Sequence, residues 1–317
     1  MAKHTKNERV RLDDAARAGW LYYVAQNNQD EIAEKMGISR QSAQRLVSLA
    51  MRERLIKVRL DHPIASCMAL AQQVIDRYGL EDCQVTLADP SSDDPALGIA
   101  QVAAAEMEKY LKSKSPIVMA LGTGREMREA VKQLAPMNCP QHKIVSLVGN
   151  LAPDGSASLN DVIMRIGDVV NAPRYPLAVP VVATSVKERD TVCALQPIRR
   201  NIARAQAADV AFVGIGELNE APPLLTDGFI TQRELEALID SGGAGEIIGW
   251  AYDENGKQIK GQTNARVASV PLSQPPVFPI IGVARGANKL RAIRAALTGR
   301  WITGLITDET TARALLE

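Results

Sequence analysis

Apolar residues at the amino end of the chain recur every three or four positions, which is the period of an amphipathic helix. The pattern runs through residues 9–26, and we predict a helix there. The residues expected to face its core are Leu12, Ala16, Trp20, Tyr23 and Val24. A second apolar period begins a few residues later, so this end of the chain is predicted to be a small helical unit.

A tight turn is predicted around Gly37, between two short helices. Ala33 supplies a small side chain where two helices must approach closely, and Gly37 suits the left-handed conformation that ends a helix. Ile38 can fill the turn, and Ser39 is a good N-cap for the next helix. This spacing is typical of a helix-turn-helix that enters a DNA major groove.

The helix after Ser39 carries polar and basic residues on one face and apolar residues on the other. Ala43, Leu46 and Val47 are expected to face the preceding helix. The predicted DNA-contacting residues are Gln29, Ser39, Arg40, Gln41, Ser42, Gln44 and Arg45. The alternative is an ordinary helical hairpin with a solvated polar face. The local charge favours the DNA-binding interpretation.

Basic charge is concentrated in this amino-terminal segment. Residues 1–60 contain twelve Lys and Arg against seven Asp and Glu, a net charge of +5, whereas the other 257 residues have a net charge of −4. Such a basic segment is typical of phosphate-backbone contact. We therefore expect double-stranded operator DNA to be one partner of this chain.

A change of pattern near residues 60–64 indicates a domain boundary. Residues 55–60 alternate apolar and basic side chains and precede His62 and Pro63, which predicts a short strand or wing. We predict a winged helix-turn-helix domain at residues 1–60 and an effector domain at residues 61–317. A chain of 317 residues with 46% hydrophobic content is long enough for both cores.

The second domain is predicted to be Rossmann-like, with a mainly parallel sheet and helices on both faces. The predicted strands are residues 84–88, 117–121, 143–148, 179–183, 210–214, 247–252, 266–270, 277–283 and 302–307. The predicted helices are residues 98–112, 126–134, 201–208, 232–240, 287–297 and 310–316. In such α/β sheets, ligands bind at the carboxyl ends of the strands.

Several classes of protein are disfavoured by composition. No apolar run approaches the roughly 18 residues of a membrane span, and the amino end lacks the apolar core of a secretory signal. The four cysteines and three histidines show no metal-ligand spacing, so neither metal nor cofactor is expected. We expect a cytoplasmic protein with reduced thiols and no membrane partner.

Two glycine loops and a carboxylate are the candidate ligand-binding features. The first loop follows a buried strand at residues 122–125, and the second includes Gly282 and Gly286 before Lys289. Glycines allow backbone N–H groups to approach a ligand, and a helix N-terminus adds a positive dipole. The predicted effector-binding residues are Gly122, Thr123, Gly124, Arg125, Glu126, Gly149, Asn150, Glu246, Arg285 and Lys289.

These segments together resemble the SorC family of bacterial sugar-responsive transcriptional regulators, over nearly the whole chain. The resemblance rests on residues 29–45, 122–125, 208–216, 243–253, 264–267 and 281–289, and most specifically on residues 304–316. It implies an effector domain similar to ribose-5-phosphate and glucosamine-phosphate isomerases, with catalysis lost. It also implies homodimers or homotetramers whose binding to operator DNA changes with a sugar or sugar phosphate. By the same resemblance, residues 123–126, 149–150, 246 and 289 bind that effector.

The chain departs from the family pattern at Ala43, where valine is usual, at Arg285, where a glycine is common, and at Glu126, where many relatives carry threonine. A carboxylate repels a phosphate unless a cation intervenes, so Glu126 favours an uncharged sugar or polyol over a sugar phosphate. The alternative function is a sugar-phosphate isomerase-like enzyme fused to a DNA-binding domain. That chemistry needs a positioned base, and no histidine falls in a candidate loop.

Overall fold

A computed structural model describes residues 2–53, 55–56, 64–88, 96–151, 155–156 and 162–317. The chain forms two compact units, Met1–His62 and Pro63–Glu317, each with its own core. Among the described helices, none has the length and apolar character that crossing a bilayer requires. All four cysteines are free thiols, and Cys67, Cys83 and Cys139 are buried.

In its described residues the first unit contains three helices, α1 (Ala2–Tyr23), α2 (Gln29–Met36) and α3 (Arg40–Arg52). Asn28 caps α2 in a capping box with Glu31, so two backbone donors at this helix start are satisfied. Gly37 ends α2 with φ 64°, in the left-handed region, and the Ser39 hydroxyl accepts a hydrogen bond from the backbone of Ser42 at 3.2 Å. The predicted turn is therefore confirmed in its local chemistry.

The predicted core stripe of α1 is wrong. Trp20 and Val24 are 53% and 58% exposed, and the residues that pack inward are Ala15, Ala18, Gly19 and Leu21. The reason is steric, because α1 packs closely against α3 and only small side chains fit between the two helix backbones. A large apolar residue at helical spacing indicated burial, but the space available decided which face turned inward.

The predicted wing at residues 55–60 lies mostly outside the described residues. Leu55 and Ile56, which are described, form a bend and pack against Ala15, Leu49 and Ala50. The strand expected at residues 57–60 therefore stays a prediction.

The second unit alternates strands and helices along the chain. Its strands are β1 (Asp82–Thr86), β2 (Val118–Leu121), β3 (Lys143–Leu151), β4 (Arg174–Pro180), β5 (Val210–Gly214), β6 (Gly216–Glu217), β7 (Gly243–Ile247), β8 (Trp250–Asp253), β9 (Ile280–Val283) and β10 (Gly304–Asp308). Its α-helices are α4 (Ala65–Tyr78), α5 (Leu97–Leu111), α6 (Arg125–Gln133), α7 (Ile163–Val170), α8 (Val186–Ala194), α9 (Gln196–Gln206), α10 (Pro223–Thr226), α11 (Gln232–Asp240), α12 (Leu290–Thr298) and α13 (Glu309–Leu316). Short 3₁₀ turns lie at Gln262–Arg266 and Ala287–Lys289.

Within the described residues, seven strands form one parallel sheet in the order β1-β10-β9-β5-β2-β3-β4. From β2 the chain continues outward to β3 and β4, whereas from β5 it continues in the opposite direction to β9 and β10. The strand order therefore reverses between β2 and β5. In open α/β sheets, a crevice that can hold a ligand forms at the carboxyl end of such a switch point.

Helices cover both faces of this sheet, as the alternation of its side chains requires. Met119, Leu121 and Phe212 pack on one face with residues of α5, α6 and α7. Ala120 and Val213 point to the other face, where α4, α9 and α11 to α13 contribute to the second cluster. The predicted fold class, a small helical domain followed by a mainly parallel α/β domain, is confirmed in this arrangement.

Two predicted strands take a different form. Residues 247–252 are divided between β7 and β8, which form an antiparallel hairpin turned by Ile248 at φ 49° and Gly249 at φ 90°. A two-residue turn with both φ values positive matches the right-handed twist of a hairpin, but such turns usually contain Asn and Gly. Of residues 266–270, Arg266 ends a 3₁₀ turn, and the buried residues 267–270 form only an isolated bridge, at Val267.

The tight contact at Gly19 generates a prediction about stability. A Cβ atom added there would lie 2.7 Å from Ala50 Cβ and 2.7 Å from Ile56 Cγ1. Gly→Ala inside a helix ordinarily stabilises a protein, but here we expect Gly19→Ala to lower the free energy of unfolding by about 1–3 kcal/mol through overpacking. Urea denaturation followed by helical circular dichroism measures the change. A stabilised variant would show that α1 and α3 are not held this closely.

Candidate functional site

A cleft lies at the carboxyl ends of β2 and β5, where the strand order reverses. Its cavity volume is about 140 Å³, an order of magnitude above the roughly 10–15 Å³ that one water needs. The residues that line it are Thr123, Gly124, Arg125, Glu126, Val148, Val181, Gly214, Ile215, Gly216, Pro223, Leu224, Thr226, Asp227, Phe229, Glu246, Ile248, Gly249 and Lys289. Six of the ten predicted effector-binding residues are therefore in one place.

The first glycine loop forms one wall of the cleft. Gly124 has φ 128° and directly precedes α6, whose first turn receives no side-chain cap from the described residues. No described side chain therefore competes with a ligand for the amides of this turn, and the helix dipole favours oxygen atoms there. Gly122, the first residue of the loop, is closely packed: an added Cβ would lie 3.1 Å from Ile248 Cγ2 and 3.3 Å from Val213 Cα.

A buried ion pair crosses the cleft between two loops that are distant in sequence. Lys289, which is 7% exposed, donates a hydrogen bond from Nζ to Glu126 Oε1 at 3.0 Å. The lysine follows β9 and the glutamate begins α6, so the parallel order β9-β5-β2 brings their loops to the same edge of the sheet. The positive charge of Lys289 is therefore already neutralised by a carboxylate of the cleft.

Glu246 lies on β7 and folds its carboxylate over Gly216 of the neighbouring strand β6. A Cβ at position 216 would lie 2.0 Å from Glu246 Oε1, so only glycine leaves space for this carboxylate. Its Oε2 accepts a hydrogen bond from the backbone of Gly249 at 2.6 Å. Burial raises the pKa of Glu246 to about 7, against the opposing effects of this hydrogen bond and of Lys289, while Glu217 raises it further.

Glu217 is a further carboxylate, beside Arg125 at the edge of the cleft, and it was not among the predicted residues. It is buried on β6, and its Oε1 lies 3.9 Å from Arg125 Nη2. Its Oε2 is buried with no hydrogen-bond partner among the described residues. The glycines at 214 and 216 that precede it were a usable signal, because they follow strand β5 as the predicted loops follow theirs.

The hairpin turn places a strained residue against the cleft. Ile248 adopts φ 49°, a conformation that β-branched side chains rarely occupy, and its side chain lines the cleft. Backbone strain of this kind persists only where the surrounding structure determines it, and it is concentrated at functional sites. The turn also aims the Gly249 amide at Glu246.

Four of the predicted effector-binding residues do not line the cleft. Besides Gly122, these are Gly149 and Asn150 on β3, and Arg285. An added Cβ at Gly149 would lie 2.5 Å from the Val179 carbonyl oxygen, so this glycine serves the close approach of β3 and β4. Arg285 lies 3.5 Å from Asp308, the residue that caps α13, and so holds its loop rather than reaching the cleft.

A wall formed by residues 223–229 was also missed. Thr226, Asp227 and Phe229 follow strand β6 and line the cleft. This segment contains α10, a single helical turn with Pro223 in its first turn, and no periodic pattern announces it. Hydroxyl, carboxylate and aromatic groups therefore complete a cleft suited to a polar ligand with apolar faces.

The predicted recognition helix is α3, and its polar face is exposed. Arg40, Gln41, Gln44 and Arg45 all reach solvent, whereas Ala43 and Val47 are buried against the other helices. Ser39 and Ser42 contact each other in the helix cap, and Gln29 is partly exposed at the start of α2. Arg40 Nε lies 3.4 Å from Asp30, an exposed pair that contributes little to stability and leaves the guanidinium accessible.

The comparisons with known proteins cover both units. Residues 62–317 match the family model "Sugar-bind: Putative sugar-binding domain". The erythritol catabolism regulatory protein EryD of Brucella abortus is 30% identical over 95% of this chain and 96% of its own, and the transcriptional regulator LsrR of Klebsiella pneumoniae is 27% identical over 95% and 92%. The crystal structure of the full-length sorbitol operon regulator SorC from Klebsiella pneumoniae has a TM-score of 0.72 at 23% identity, over 96% of this chain and 98% of that chain.

A helix-turn-helix unit joined to an α/β unit with a polar cleft defines a ligand-responsive transcriptional regulator. The chain belongs to the SorC/DeoR-type family of sugar-binding transcriptional regulators. Its relatives are regulators rather than enzymes, so the isomerase alternative considered from sequence is not supported. Membership implies binding of DNA and of a small-molecule effector.

The raised pKa of Glu246 generates a prediction about stability. Because its pKa is about 7 in the folded protein against an ordinary 4.5, ionisation costs more in the folded than in the unfolded state. The contribution of the protonated Glu246 side chain to the free energy of unfolding is therefore full below pH 4.5 and is lost as the pH rises through 7. We expect Glu246→Gln to match the wild type near pH 4.5 and to exceed it by roughly 3 kcal/mol at pH 8, from 1.36 kcal/mol per pKa unit.

Urea denaturation of both proteins between pH 4.5 and 8 measures this difference. Glu236→Gln is the matched control, since Glu236 is an exposed carboxylate on α11. A difference between wild type and Glu246→Gln that does not change with pH would contradict the raised pKa.

Proposed function

We propose that this chain regulates genes of carbohydrate catabolism by binding operator DNA as a homodimer or homotetramer. An uncharged polyol or sugar, bound in the cleft between β2 and β5, changes that DNA binding. The effector contacts are proposed to come from Thr123, Gly124, Arg125, Glu126, Glu246 and Lys289, with Glu217 added from the structure.

The observation that carries the choice of effector is the charge of the cleft. Three carboxylates among the described lining residues, Glu126, Asp227 and Glu246, face two cations, Arg125 and Lys289. Glu217 adds a fourth carboxylate next to Arg125. A phosphate would meet a net negative site, because each cation already has a carboxylate nearby.

Hydroxyl groups fit this mixture of carboxylates, cations and amides better than a phosphate does. A polyol hydroxyl can donate a hydrogen bond to Glu246 or Glu217 and accept one from Lys289 or from the amides at the start of α6. The 30% identical relative EryD is named for the catabolism of erythritol, which is an unphosphorylated four-carbon polyol. That relationship supports a polyol of similar size for this chain.

A sugar phosphate is the second candidate, and one feature favours it. The uncapped first turn of α6, preceded by Gly124, presents backbone amides of the kind that bind phosphate oxygens. For a phosphate to bind there, Lys289 would have to exchange its contact with Glu126 for one with the phosphate. The same rearrangement provides a test that separates the two ligands.

We expect calorimetry to show tighter binding of a neutral polyol than of its monophosphate, across erythritol, a pentitol and a hexitol. In Glu126→Gln, the affinity for the polyol should fall by about tenfold, since a hydrogen bond to a charged group is worth about 1.5–3 kcal/mol. The affinity for the phosphate should rise, because one repulsive carboxylate is removed and Lys289 is released.

The control for this experiment is Glu129→Gln, which removes a carboxylate from the same helix that pairs with Lys132 outside the cleft lining. A wild-type protein that binds the phosphate more tightly, and loses that affinity in Lys289→Ala, would establish the second candidate instead.

The oligomer is proposed because one recognition helix reads only a few base pairs. Useful specificity requires two half-sites, and a two-fold symmetric protein supplies two copies of α3. We propose that Arg45 and Gln44 contact base edges, because both are exposed on the second turn of α3. Base contacts carry the sequence preference, whereas phosphate contacts carry most of the salt dependence.

For the DNA-binding surface we expect Arg45→Ala to weaken operator binding by about 1–3 kcal/mol, and Gln44→Ala to relax the preference for one base. The probe is the duplex that wild-type protein selects from a random-sequence pool, with binding measured by fluorescence anisotropy at fixed salt. Arg200→Ala, an exposed arginine on α9, is the matched control. Unchanged affinity in a Gln44→Ala, Arg45→Ala double variant would exclude α3 as the reading helix.

A further inference from the structure

We propose that the outer face of α1 pairs with the same face of a second copy of this chain, with the two helices antiparallel. The face consists of Val10, Asp13, Arg17 and Trp20 on α1 together with Val24 in the turn directly after it, and it is called the α1 stripe below. This proposal rests on the proposed function, because it assigns a specific interface to the oligomer proposed there. The proposed function itself would still hold if other surfaces formed the oligomer.

The α1 stripe exposes apolar side chains that the monomer leaves uncovered. Val10 is 54% exposed and Trp20 53%, both on the side of the helix opposite the buried Ala15, Ala18 and Gly19, and Val24 just after the helix is 58% exposed. At 100° per residue, the four stripe positions on α1 fall within about a quarter of the helix circumference. Aligned exposed aromatic and aliphatic residues mark a surface that another protein covers.

The charges in the middle of the stripe identify a second copy as the partner. Asp13 and Arg17 are exposed, and neither forms an ion pair with another described residue. If a two-fold axis passes at the level of residue 15, antiparallel pairing sets Asp13 opposite the partner's Arg17 and Val10 opposite the partner's Trp20. The stripe is therefore complementary to itself, as an isologous interface requires.

The same geometry suits two half-sites on DNA. α3 packs on the inner side of α1, so a paired structure has the order α3, α1, partner α1, partner α3. Three helix-to-helix spacings of about 8–10 Å separate the recognition helices by roughly 24–30 Å. Successive major grooves on one side of B-DNA are about 34 Å apart, which is close to this separation. A two-fold axis perpendicular to the DNA would also make the exposed polar faces of both α3 helices point toward the same side of the dimer.

Disulfide trapping in the full-length chain tests the pairing. Val10→Cys and Trp20→Cys on one helix are about 15 Å apart, too far for a bond within one chain, since a disulfide needs Cα atoms within about 7 Å. We expect a covalent dimer on oxidation of the double variant, and also in an equal mixture of the two single variants. Each single variant alone should stay uncrosslinked. Arg11→Cys with Tyr22→Cys, both exposed but away from the stripe, is the matched control.

Absence of the crosslinked dimer in the double variant would overturn the proposal. Crosslinking within either single variant would also overturn it, because that result requires parallel helices or a pairing centred away from residue 15. Circular dichroism confirms that each variant is folded. Sedimentation of the wild type measures the oligomer formed by any surface, so an oligomer without crosslinking refutes the α1 pairing and leaves the proposed function standing.

The charges supply a second, independent measurement. In the Val10→Cys, Trp20→Cys background, Asp13→Arg alone and Arg17→Asp alone should each reduce crosslinking severalfold, since each sets like charges opposite one another. Mixing these two variants should restore the yield, because every facing pair is then of opposite charge. An effect confined to one helix cannot be rescued by mixing, so failure of the rescue counts against the interface.

Discussion

The reversal of strand order between β2 and β5 is the constraint on which the site depends. After β2 the chain moves toward one edge of the sheet, and after β5 it moves toward the other edge. The loops that follow these two strands therefore separate and leave a cleft between them. The ion pair between Lys289 and Glu126 spans this gap. It joins loops from β9 and β2, which are separated by more than 160 positions in the chain.

The pairing of charges across the cleft determines the chemistry that it offers. A buried ion pair is sustained only when both charges are present, and removing one partner leaves the other uncompensated in a partly dehydrated site. Lys289 therefore interacts with a ligand in competition with Glu126, and Arg125 does so in competition with Glu217. An effector with many uncharged hydroxyl groups can form hydrogen bonds with this network without displacing a charge from its partner.

The small helical unit is built by close approach rather than by large apolar side chains. Ala15, Ala18 and Gly19 allow α1 and α3 to pack closely, and the larger Trp20 is left on the outer surface. The same packing that stabilises the unit thus generates the exposed face through which we propose that it dimerises. Its recognition residues and its proposed interface lie on different helices, so a change in one need not disturb the other.

Local signals in the sequence determined the turn at Gly37, the cap at Ser39, most strands of the sheet and the glycine loop at Gly124, because each depends on residues close together in the chain. The tertiary structure alone decided which partner each charge found. Arg285 meets Asp308, Lys289 meets Glu126 and Arg125 meets Glu217, since those contacts depend on the order of strands in the sheet. For the same reason, neither the hairpin at Ile248 nor the exposure of Trp20 followed from hydrophobic spacing: each reflects the space left by neighbours that are remote in sequence.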